Sequence, residues 1–507
     1  MRIDPLCILQ VSTADIAGGA EKVAWNLFHS YRSLGNASYL AVGTKRSADA
    51  DVFVVRNDAR EGRWSRNWSA LDKRLAAVNG SLPGSHFFAG IARYMARPGR
   101  AIYARYGVED FHFPGTRRIL DLPPTRPDLV HLHNVHGGYF DLRVLPRLSR
   151  RVPVLVTLHD AWLLSGHCAH SFDCERWRTG CGSCPDLGIY PALARDATRY
   201  NWRRKQRILA RSRLYVAAPS QWLMRKVEHS ILAPAIIESR VIPNGVDLTT
   251  FHPGDRLEAR ATLNIPLDAH VVLFTGYGIR HNMWKDYRMM RAAIAAAAAR
   301  LRDKNTLFIA LGEEAPSERI DAAEIRFVRY QENAESVARY YQAADVYIHA
   351  AKVDTFPNSV LEALACGIPA IATAVGGVPE QIKPLRGLGT GAPSVLRHGA
   401  DEATGVLVPA GDAAEMAHAL ATLLYDRTLR DRLGESAARD CAARFDLARQ
   451  THDYLAWYEQ MLKTAPRRRQ RLTLSRGANV TSAQLYGWAD IASDAAPSWQ
   501  AWLQSLC

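Results

Sequence analysis

The stretch Asp354-Thr-Phe-Pro-Asn-Ser-Val-Leu-Glu362-Ala-Leu-Ala-Cys-Gly367 places two carboxylates eight residues apart. The first precedes a Pro-Asn-Ser turn, and the second falls inside the helix that the pattern predicts after that turn. The first N–H groups of a helix have no partner within the helix and can bind phosphate. We therefore expect Glu362 to bind two ribose hydroxyls of a nucleotide, while the helix start, with Asn358 and Ser359, holds its diphosphate.

The same spacing has a purely structural interpretation. Ser359 and Glu362 fit a capping box, in which the carboxylate satisfies backbone N–H groups at the start of the helix. At this point both interpretations stay open.

Length and composition predict a soluble protein of two or three domains. The chain has 507 residues, of which 48% are hydrophobic and 22% are charged. No run approaches the 18 or more apolar residues that a membrane span needs. The N-terminus lacks the features of a signal peptide, so we expect a cytoplasmic protein whose eight cysteines are reduced unless they bind metal.

The net charge of +14 favours a polyanionic partner. Basic residues concentrate at 60–74, 97–105, 199–213 and 467–471, with Trp64, Trp68 and Trp202 among them. No helix-turn-helix, zinc finger or RNA-binding sheet motif is recognisable, so we expect no nucleic-acid partner. A basic surface with aromatic residues predicts peripheral contact with an anionic membrane, and solvated charged helices are the alternative.

Strand-like and helix-like segments alternate along the chain, which predicts parallel α/β domains. In the first half we predict strands at 6–11, 129–132, 153–158 and 214–218 and a helix at 20–34, with helical excursions over 52–118. In the second half we predict strands at 270–275, 306–311, 325–329, 346–349 and 369–372 and helices at 286–302, 335–344, 413–445 and 447–462.

The Pro-Asn-Gly turn within 241–247 marks a boundary between these two series. The predicted divisions are a first domain at 1–240, a second domain at 241–446, a final helix at 447–465 and a tail at 466–507.

The paired acids resemble the signature of family 4 retaining glycosyltransferases, which use nucleotide sugars and have the two-domain GT-B fold. That signature has two glutamates, and this chain has Asp354 at the first position and Glu362 at the second. The resemblance covers about residues 3–463 except the interval 52–118. It implies two facing, doubly wound Rossmann-like domains with a cleft between them: an acceptor-side domain at 1–240 and a nucleotide-sugar domain at 241–446, followed by a crossover helix at 447–465.

A departing diphosphate has to be neutralised, and fixed cations can do this. After the strand at 270–275 come Gly276, Arg280 and Lys285, and family 4 enzymes carry a basic pair in this loop. On the other domain, Gly18 and Gly19 resemble the N-terminal glycine loop of the family, which lets the backbone approach the donor.

His159 and Asp160 end the strand at 153–158. The family has a histidine here that contacts the transferred sugar, so we expect His159 to do so and Asp160 to orient it or to meet the acceptor. His133 and His136 follow the preceding strand and are acceptor-side candidates. The alternative is that two of the three histidines at 131, 133 and 136 are simply satisfied by the backbone.

Four cysteines fall within 17 residues, and their spacing predicts a structural zinc site. The expected ligands are Cys168, Cys174, Cys181 and Cys184, with His167 or His170 as a substitute for one of them. The loop also resembles one in a subset of bacterial family 4 enzymes of surface-polysaccharide synthesis.

Together these features predict a glycosyltransferase that moves a hexose with retention, from a UDP- or GDP-sugar to a growing, lipid-linked glycan. The expected catalytic residues are His159, Asp354, Arg280 and Lys285, and no cofactor is expected for catalysis. A nucleotide-sugar epimerase of the same fold and a non-catalytic sugar- or membrane-binding scaffold are the alternatives. A phosphorylase would need a pyridoxal-binding lysine and a far longer chain.

Overall fold

The computed structural model describes residues 5–16, 18–57, 98–301, 305–321 and 323–464, together with positions 67, 68, 70, 71, 74 and 95. Met1–Thr464 form one compact unit. The basic segment at 467–471, the tail at 466–507 and most of the segment at 60–74 lie outside the described residues.

The first half of the chain forms a seven-stranded sheet in the order β3-β2-β1-β4-β5-β6-β7, and every pairing is parallel. Its strands are β1 Cys7–Ala14, β2 Ala37–Thr44, β3 Val52–Val54, β4 Leu129–Leu132, β5 Val154–Thr157, β6 Leu214–Ala218 and β7 Ile236–Val241. The sequence predicted β1, β4, β5 and β6. The interval 52–118 was expected to hold only helical excursions, and this is wrong for β3, which extends the edge of the sheet beside β2.

The second half forms another seven-stranded sheet, in the order β10-β11-β9-β8-β12-β13-β14. Its strands are β8 His270–Thr275, β9 Thr306–Leu311, β10 Glu318–Ile320, β11 Ala323–Val328, β12 Val346–His349, β13 Ala370–Thr373 and β14 Gly405–Val408. The β10–β11 pair is antiparallel, and the other pairs are parallel. All five strands predicted for this half are present.

Helices connect the strands. In the described residues they are α1 Gly19–Ser33, α2 Pro98–Arg105, α3 Leu145–Leu148, α4 Thr198–Leu209, α5 Gln221–Glu228, α6 Arg256–Thr262, α7 Tyr287–Arg300, α8 Ala334–Ala343, α9 Asn358–Ala365, α10 Val378–Gln381, α11 Ala413–Tyr425, α12 Arg427–Phe445 and α13 Leu447–Thr464. The helices predicted over 413–445 are α11 and α12, which meet at Asp426.

Each sheet reverses its strand order once, between β1 and β4 and between β8 and β12. Ligands of doubly wound sheets bind beyond the carboxyl ends of the strands at such a reversal. The expected architecture of two Rossmann-like halves is therefore confirmed, and both reversals mark the place where a ligand site is expected.

The last helix, α13, returns to the first half. Its aromatic side chains Tyr454, Trp457 and Tyr458 are fully buried and pack in one apolar cluster with Ile8 and Tyr31 of β1 and α1. Burying such large side chains contributes roughly 2 kcal/mol each, so α13 is firmly attached to the first sheet. No helix in the described part of the chain has the length and apolar character that crossing a membrane requires.

Candidate active site

A cavity of about 320 Å³ lies where the two sheets face each other, and it collects residues that follow strand ends in both halves. The residues lining it are Gly19, Ala20, His159, Pro219, Asn244, Thr275, Gly276, Lys285, Asp354, Thr355, Phe356, Pro357, Asn358 and Ser359. Seven of the residues predicted from the sequence are therefore brought together: Gly19, His159, Gly276, Lys285, Asp354, Asn358 and Ser359.

Lys285 and Asp354 form an ion pair in the wall of this cavity. Lys285 Nζ lies 3.0 Å from Asp354 Oδ2, and His349 Nε2 lies 3.4 Å from the same oxygen. Burial acts to raise the pKa of Asp354, but the Lys285 ammonium and His349 together hold it well below its ordinary range. Burial lowers the pKa of His349 to about 4. The cavity wall therefore presents an ammonium and a carboxylate that stays ionised.

The backbone of Asp354 is held by a close approach of Gly376. A Cβ at position 376 would lie 1.8 Å from the Asp354 carbonyl oxygen, and the φ angle of Gly376 is +56°. Only glycine fits such a contact and such an angle without strain. The glycine pair that follows β13 thus fixes the loop that carries Asp354.

Helix α9 begins at the cavity with its first N–H groups available. Its N-cap is Pro357, and no side chain caps the helix start. Asn358 ties the two halves together, because its Nδ2 donates to Gly19 O at 3.1 Å and its Oδ1 accepts from Asn244 Nδ2 at 2.9 Å. The capping-box interpretation of Ser359 and Glu362 is wrong, since the Glu362 carboxylate is engaged elsewhere.

Glu362 is buried, and both of its oxygens are held by side chains. Oε1 accepts from Lys22 Nζ at 2.7 Å, and Oε2 accepts from Tyr341 OH at 3.0 Å. Lys22 lies on α1 of the first half, so this ion pair also crosses between the halves. Glu362 lies about one helical turn after Ser359, the last residue of α9 in the cavity lining. A ribose that donates hydrogen bonds to Glu362 therefore has to share its carboxylate with Lys22.

Arg280 is placed away from the cavity. Its guanidinium pairs with Glu313, with Nε 2.6 Å from Oε1, and it lies over the ring of Phe327. The structure thus does not bring Arg280 beside Lys285, although both belong to the loop that follows β8.

His159 enters the cavity from the first half. Its Nε2 lies 3.0 Å from His133 Nδ1, and burial lowers the pKa of His159 to about 4. His131 contacts Thr157 Oγ1 and Tyr458 OH. Both ring nitrogens of His131 and of His133 contact side chains, so the alternative in which the backbone satisfies two of the three histidines at 131, 133 and 136 is wrong.

Asp160 accepts hydrogen bonds from His136 Nε2 at 2.7 Å and from Trp162 N at 2.8 Å. It therefore orients His136 and does not orient His159. Burial acts to lower the pKa of His136, but the Asp160 carboxylate raises it above its ordinary value. Burial raises the pKa of the neighbouring Glu21. These three groups form a polar patch in the first half of the chain, outside the cavity lining.

The four-cysteine loop follows β5, and each of its thiols is partly buried and unpaired. Cys184 Sγ lies 3.4 Å from His167 Nε2, and burial raises the pKa of Cys181 to about 12. Among the described residues, which include all four cysteines, no group of three or more His, Cys, Asp or Glu side chains is arranged to hold a metal ion. Zinc in this loop stays a prediction, and about one equivalent per chain by elemental analysis would establish it.

The same loop reaches the second half of the chain. The rings of His170 and Phe172 lie 4.9 Å and 5.9 Å from Trp284, which directly precedes Lys285. Trp284 packs against the core of the first half. The loop that carries Trp284 and Lys285 and the cysteine loop are therefore in contact across the cleft.

Two family models match the chain, one in each half. "Glycosyltransferase Family 4" matches residues 17–250, and "Glycosyl transferases group 1" matches residues 269–426. The two matches together cover most of the 507 residues and contain all of the cavity lining. The chain belongs to the family 4 glycosyltransferases.

Curated relatives of this glycosyltransferase match it over part of their length. A putative colanic acid biosynthesis glycosyl transferase, WcaC, of Escherichia coli (strain K12) is 26% identical over 273 residues, which are 52% of this chain and 63% of the relative. A D-inositol 3-phosphate glycosyltransferase of Saccharomonospora viridis is 32% identical over 238 residues, 44% of this chain and 50% of the relative. The matched part thus spans between a half and two thirds of these relatives.

Solved structures resemble this glycosyltransferase over nearly its whole length. Sucrose-phosphate synthase from Thermosynechococcus elongatus gives a TM-score of 0.54 at 20% identity and covers 90% of this chain and 99% of its own. Anabaena Alr3699/HepE in complex with UDP and glucose gives 0.55 at 15% identity, with 90% and 99% covered. At these identities the likeness shows the fold alone, and that fold is GT-B.

Sequence reasoning missed several residues of this site. His349 ends β12 beside a sheet reversal, and its position at the strand end is a signal that could have found it. Lys22 and Tyr341 meet Glu362 from elements distant in sequence, and no local pattern marks them.

Proposed function

We propose that this protein is a hexosyltransferase, which moves a hexose from a UDP- or GDP-sugar to a growing, lipid-linked glycan with retention of configuration. The observation that carries the proposal is one cavity lined by Lys285, Asp354, the start of α9 and His159. A cation, a helix N-terminus and hydroxyl-binding groups are the components that a nucleotide sugar requires.

Lys285 holds the diphosphate in this proposal. Its ammonium is only 12% exposed and already faces one anionic oxygen, that of Asp354. A phosphate at the start of α9 would meet both the ammonium and the free N–H groups of the helix. Because negative charge grows on the diphosphate as it leaves, Lys285 acts most strongly in the transition state.

Asp354 and His159 contact the transferred sugar, from opposite walls of the cavity. In the transfer step the bond from the sugar C1 to the phosphate oxygen breaks, and a bond from C1 to the acceptor hydroxyl oxygen forms on the same face. The released phosphate oxygen takes the proton of the acceptor hydroxyl. The protein's part is to position both partners and to stabilise the charge on the leaving group.

Glu362 binds the ribose, with Tyr341 fixing one carboxylate oxygen. The Lys22–Glu362 pair makes this grip depend on both halves of the chain. Arg280 joins the diphosphate only if it leaves Glu313.

Donor identity is tested by a thermal-shift screen across UDP-, GDP- and ADP-sugars. A ligand at 100 times its Kd adds roughly 2.7 kcal/mol of stability, which is enough to rank the donors. The matching donor should release nucleoside diphosphate when a glycan acceptor is added. Release of a new sugar without any acceptor would instead support an epimerase, and no release with any donor would support a scaffold.

The name of the Escherichia coli relative places that protein in colanic acid biosynthesis, which supports a polysaccharide acceptor here. Acceptors differ among the relatives, as the D-inositol 3-phosphate enzymes show. A transfer assay with lipid-linked glycans beside D-inositol 3-phosphate decides between them. Faster transfer to D-inositol 3-phosphate would contradict the proposed acceptor class.

We also propose that α4 and the residues after it contact an anionic membrane surface. Arg199, Arg203, Arg207 and Arg211 follow one another at four-residue spacing, and all four are exposed. No acidic residue occurs from 198 to 213. Trp202 is buried and donates its indole N–H to Trp177 O, so the expectation that it belongs to the exposed basic surface is wrong.

Each basic residue near an anionic surface contributes about 1 kcal/mol. We expect the protein to cosediment with phosphatidylglycerol vesicles at low salt and to be released at high salt. The triple substitution Arg203→Gln, Arg207→Gln and Arg211→Gln should abolish cosedimentation, while Arg427→Gln with Arg439→Gln on α12 should not. Equal binding to neutral vesicles would contradict the proposal.

A further inference from the structure

Three imidazole rings form a column that runs from α13 to the cavity. The ring centroids of His131 and His133 lie 4.2 Å apart, and those of His133 and His159 lie 5.3 Å apart with the planes only 17° from parallel. At the far end, Tyr458 OH of α13 lies 2.6 Å from His131 Nδ1. Through this column, His159 is connected to groups well outside the cavity.

Gln10 of β1 contacts the middle ring. Its Oε1 lies 2.9 Å from His133 Nε2, and the side chain is fully buried. An amide oxygen only accepts hydrogen bonds, so His133 Nε2 carries the hydrogen. Gln10 Nε2 is buried and has no partner in the part of the chain that the structure describes. Burying an amide nitrogen without a hydrogen-bond partner costs free energy. The hydrogen bond that the Gln10 amide oxygen accepts from His133 gives a reason for an amide at this position.

The position of the proton on the His133 ring determines the position of the proton on the His159 ring. Burial holds the pKa of His133 well below its ordinary value, so the ring is neutral and has a single N–H. Since that N–H is on Nε2, Nδ1 of His133 accepts, and His159 Nε2 donates across the 3.0 Å contact. His159 is neutral as well, and its Nδ1 therefore has a free lone pair.

This nitrogen is the one available to a ligand. Among the hydrogen bonds of the described residues, none involves His159 Nδ1, whereas Nε2 is taken by His133. His159 is one of the residues that line the cavity, as are Ala20 and Pro219.

We propose that Gln10 and His133 are positioning residues, which hold His159 in the tautomer with an unprotonated Nδ1 so that it accepts a hydrogen bond from a hydroxyl of the transferred sugar. The structural part of this proposal concerns the free protein, and its consequence for turnover rests on the proposed function. The opposite tautomer would present an N–H to the hydroxyl and so change which of the two groups donates.

The tautomer is measured directly by nitrogen NMR of the full chain labelled with ¹⁵N-histidine. The resonances of His159 are assigned by their loss in His159→Gln. We expect His159 Nδ1 to have the chemical shift of an unprotonated ring nitrogen and Nε2 that of a protonated one. A protonated Nδ1 in the unsubstituted protein would overturn the proposal, whatever the enzyme's activity.

Kinetics test the consequence for turnover. Gln10→Met removes the acceptor at similar volume and should lower kcat roughly tenfold, the worth of one hydrogen bond, with little change in the donor KM. Ser12→Ala, at another buried polar position of β1 that has no partner among the described residues, is the matched control and should behave as the unsubstituted enzyme.

The variants also separate a positioning role from a structural one. A loss of kcat in Gln10→Met with no change in the His159 spectrum would overturn the proposal. If no variant and no donor gives transfer, the proposed function fails, while the NMR spectrum still decides the tautomer.

Discussion

The two walls of the cavity differ in the charge of their buried polar groups. On the second-sheet wall the groups are charged and paired, as in the Lys285–Asp354 contact at 3.0 Å. On the first-sheet wall they are neutral imidazoles in mutual contact, as His133 and His159 show. The difference matches what each wall would bind.

A charged wall suits a ligand that arrives with its own charge. A diphosphate can share the Lys285 ammonium with Asp354, so the cation keeps an anionic partner before and after the donor binds. A neutral wall suits hydroxyl groups, because imidazoles of fixed tautomer offer a defined donor or acceptor. Under the proposed function, the nucleotide diphosphate binds the second-sheet wall, and the transferred sugar lies between Asp354 of that wall and His159 of the first-sheet wall.

The largest effect should follow from removing the cation of the charged wall. Lys285→Ala removes a charge-assisted hydrogen bond worth roughly 1.5 to 3 kcal/mol, so kcat/KM should fall about ten- to a hundredfold, mainly through kcat. Steady-state kinetics with the matching donor measure this. The control is Lys352→Ala. Lys352 is exposed, and its backbone N–H donates to the carbonyl oxygen of Trp284, the residue before Lys285. Unchanged turnover in Lys285→Ala would show that the diphosphate does not bind to this wall.

Glu362→Gln should have a smaller effect, and it should appear in binding. The amide keeps a contact to Tyr341 but loses the charge that meets Lys22, so donor affinity should fall roughly tenfold with a lesser change in kcat. Calorimetric titration of the donor measures this, and Glu335→Gln on the exposed face of α8 is the control. A loss confined to kcat would place Glu362 at the reacting centre and not at the ribose.

Buried neutral histidines, one in each half of the chain, should also make stability depend on pH. Burial lowers the pKa of His159 and of His349 from 6.5 to about 4. The unfolded chain therefore binds more protons between these values, and stability falls as pH falls through this window. Denaturant unfolding from pH 7 to pH 4.5 should show that fall, and His349→Gln should reduce the slope by up to about 1.4 kcal/mol per pH unit. A slope unaffected by His349→Gln would contradict the lowered pKa of that residue.

Arg280→Ala should have the smallest effect. Because Glu313 holds the guanidinium, we expect kcat/KM to fall only about threefold, within the range of an exposed ion pair. The same kinetic assay measures it. A loss as large as that of Lys285→Ala would show that Arg280 leaves Glu313 and joins the diphosphate.

The sequence predicted those features that depend on residues close together in the chain. Both sheets, the loop of Lys285 and the paired acids follow from alternating patterns and from residues directly after strands. It failed where partners are distant in sequence, as for Lys22 with Glu362 and Gln10 with His133, separated by 340 and 123 positions. It also missed β2, β3, β7, β10 and β14, which are short or mixed in pattern and are stabilised by pairing with neighbouring strands.

Titration of the free nucleoside diphosphate into two variants tests the division of the cavity most directly. The diphosphate of the preferred donor should bind His159→Ala as tightly as the unsubstituted protein and Lys285→Ala at least tenfold more weakly, while neither variant transfers sugar at the normal rate. Equal weakening of the diphosphate by both substitutions would contradict the assignment of the nucleotide to one wall and the sugar to the other.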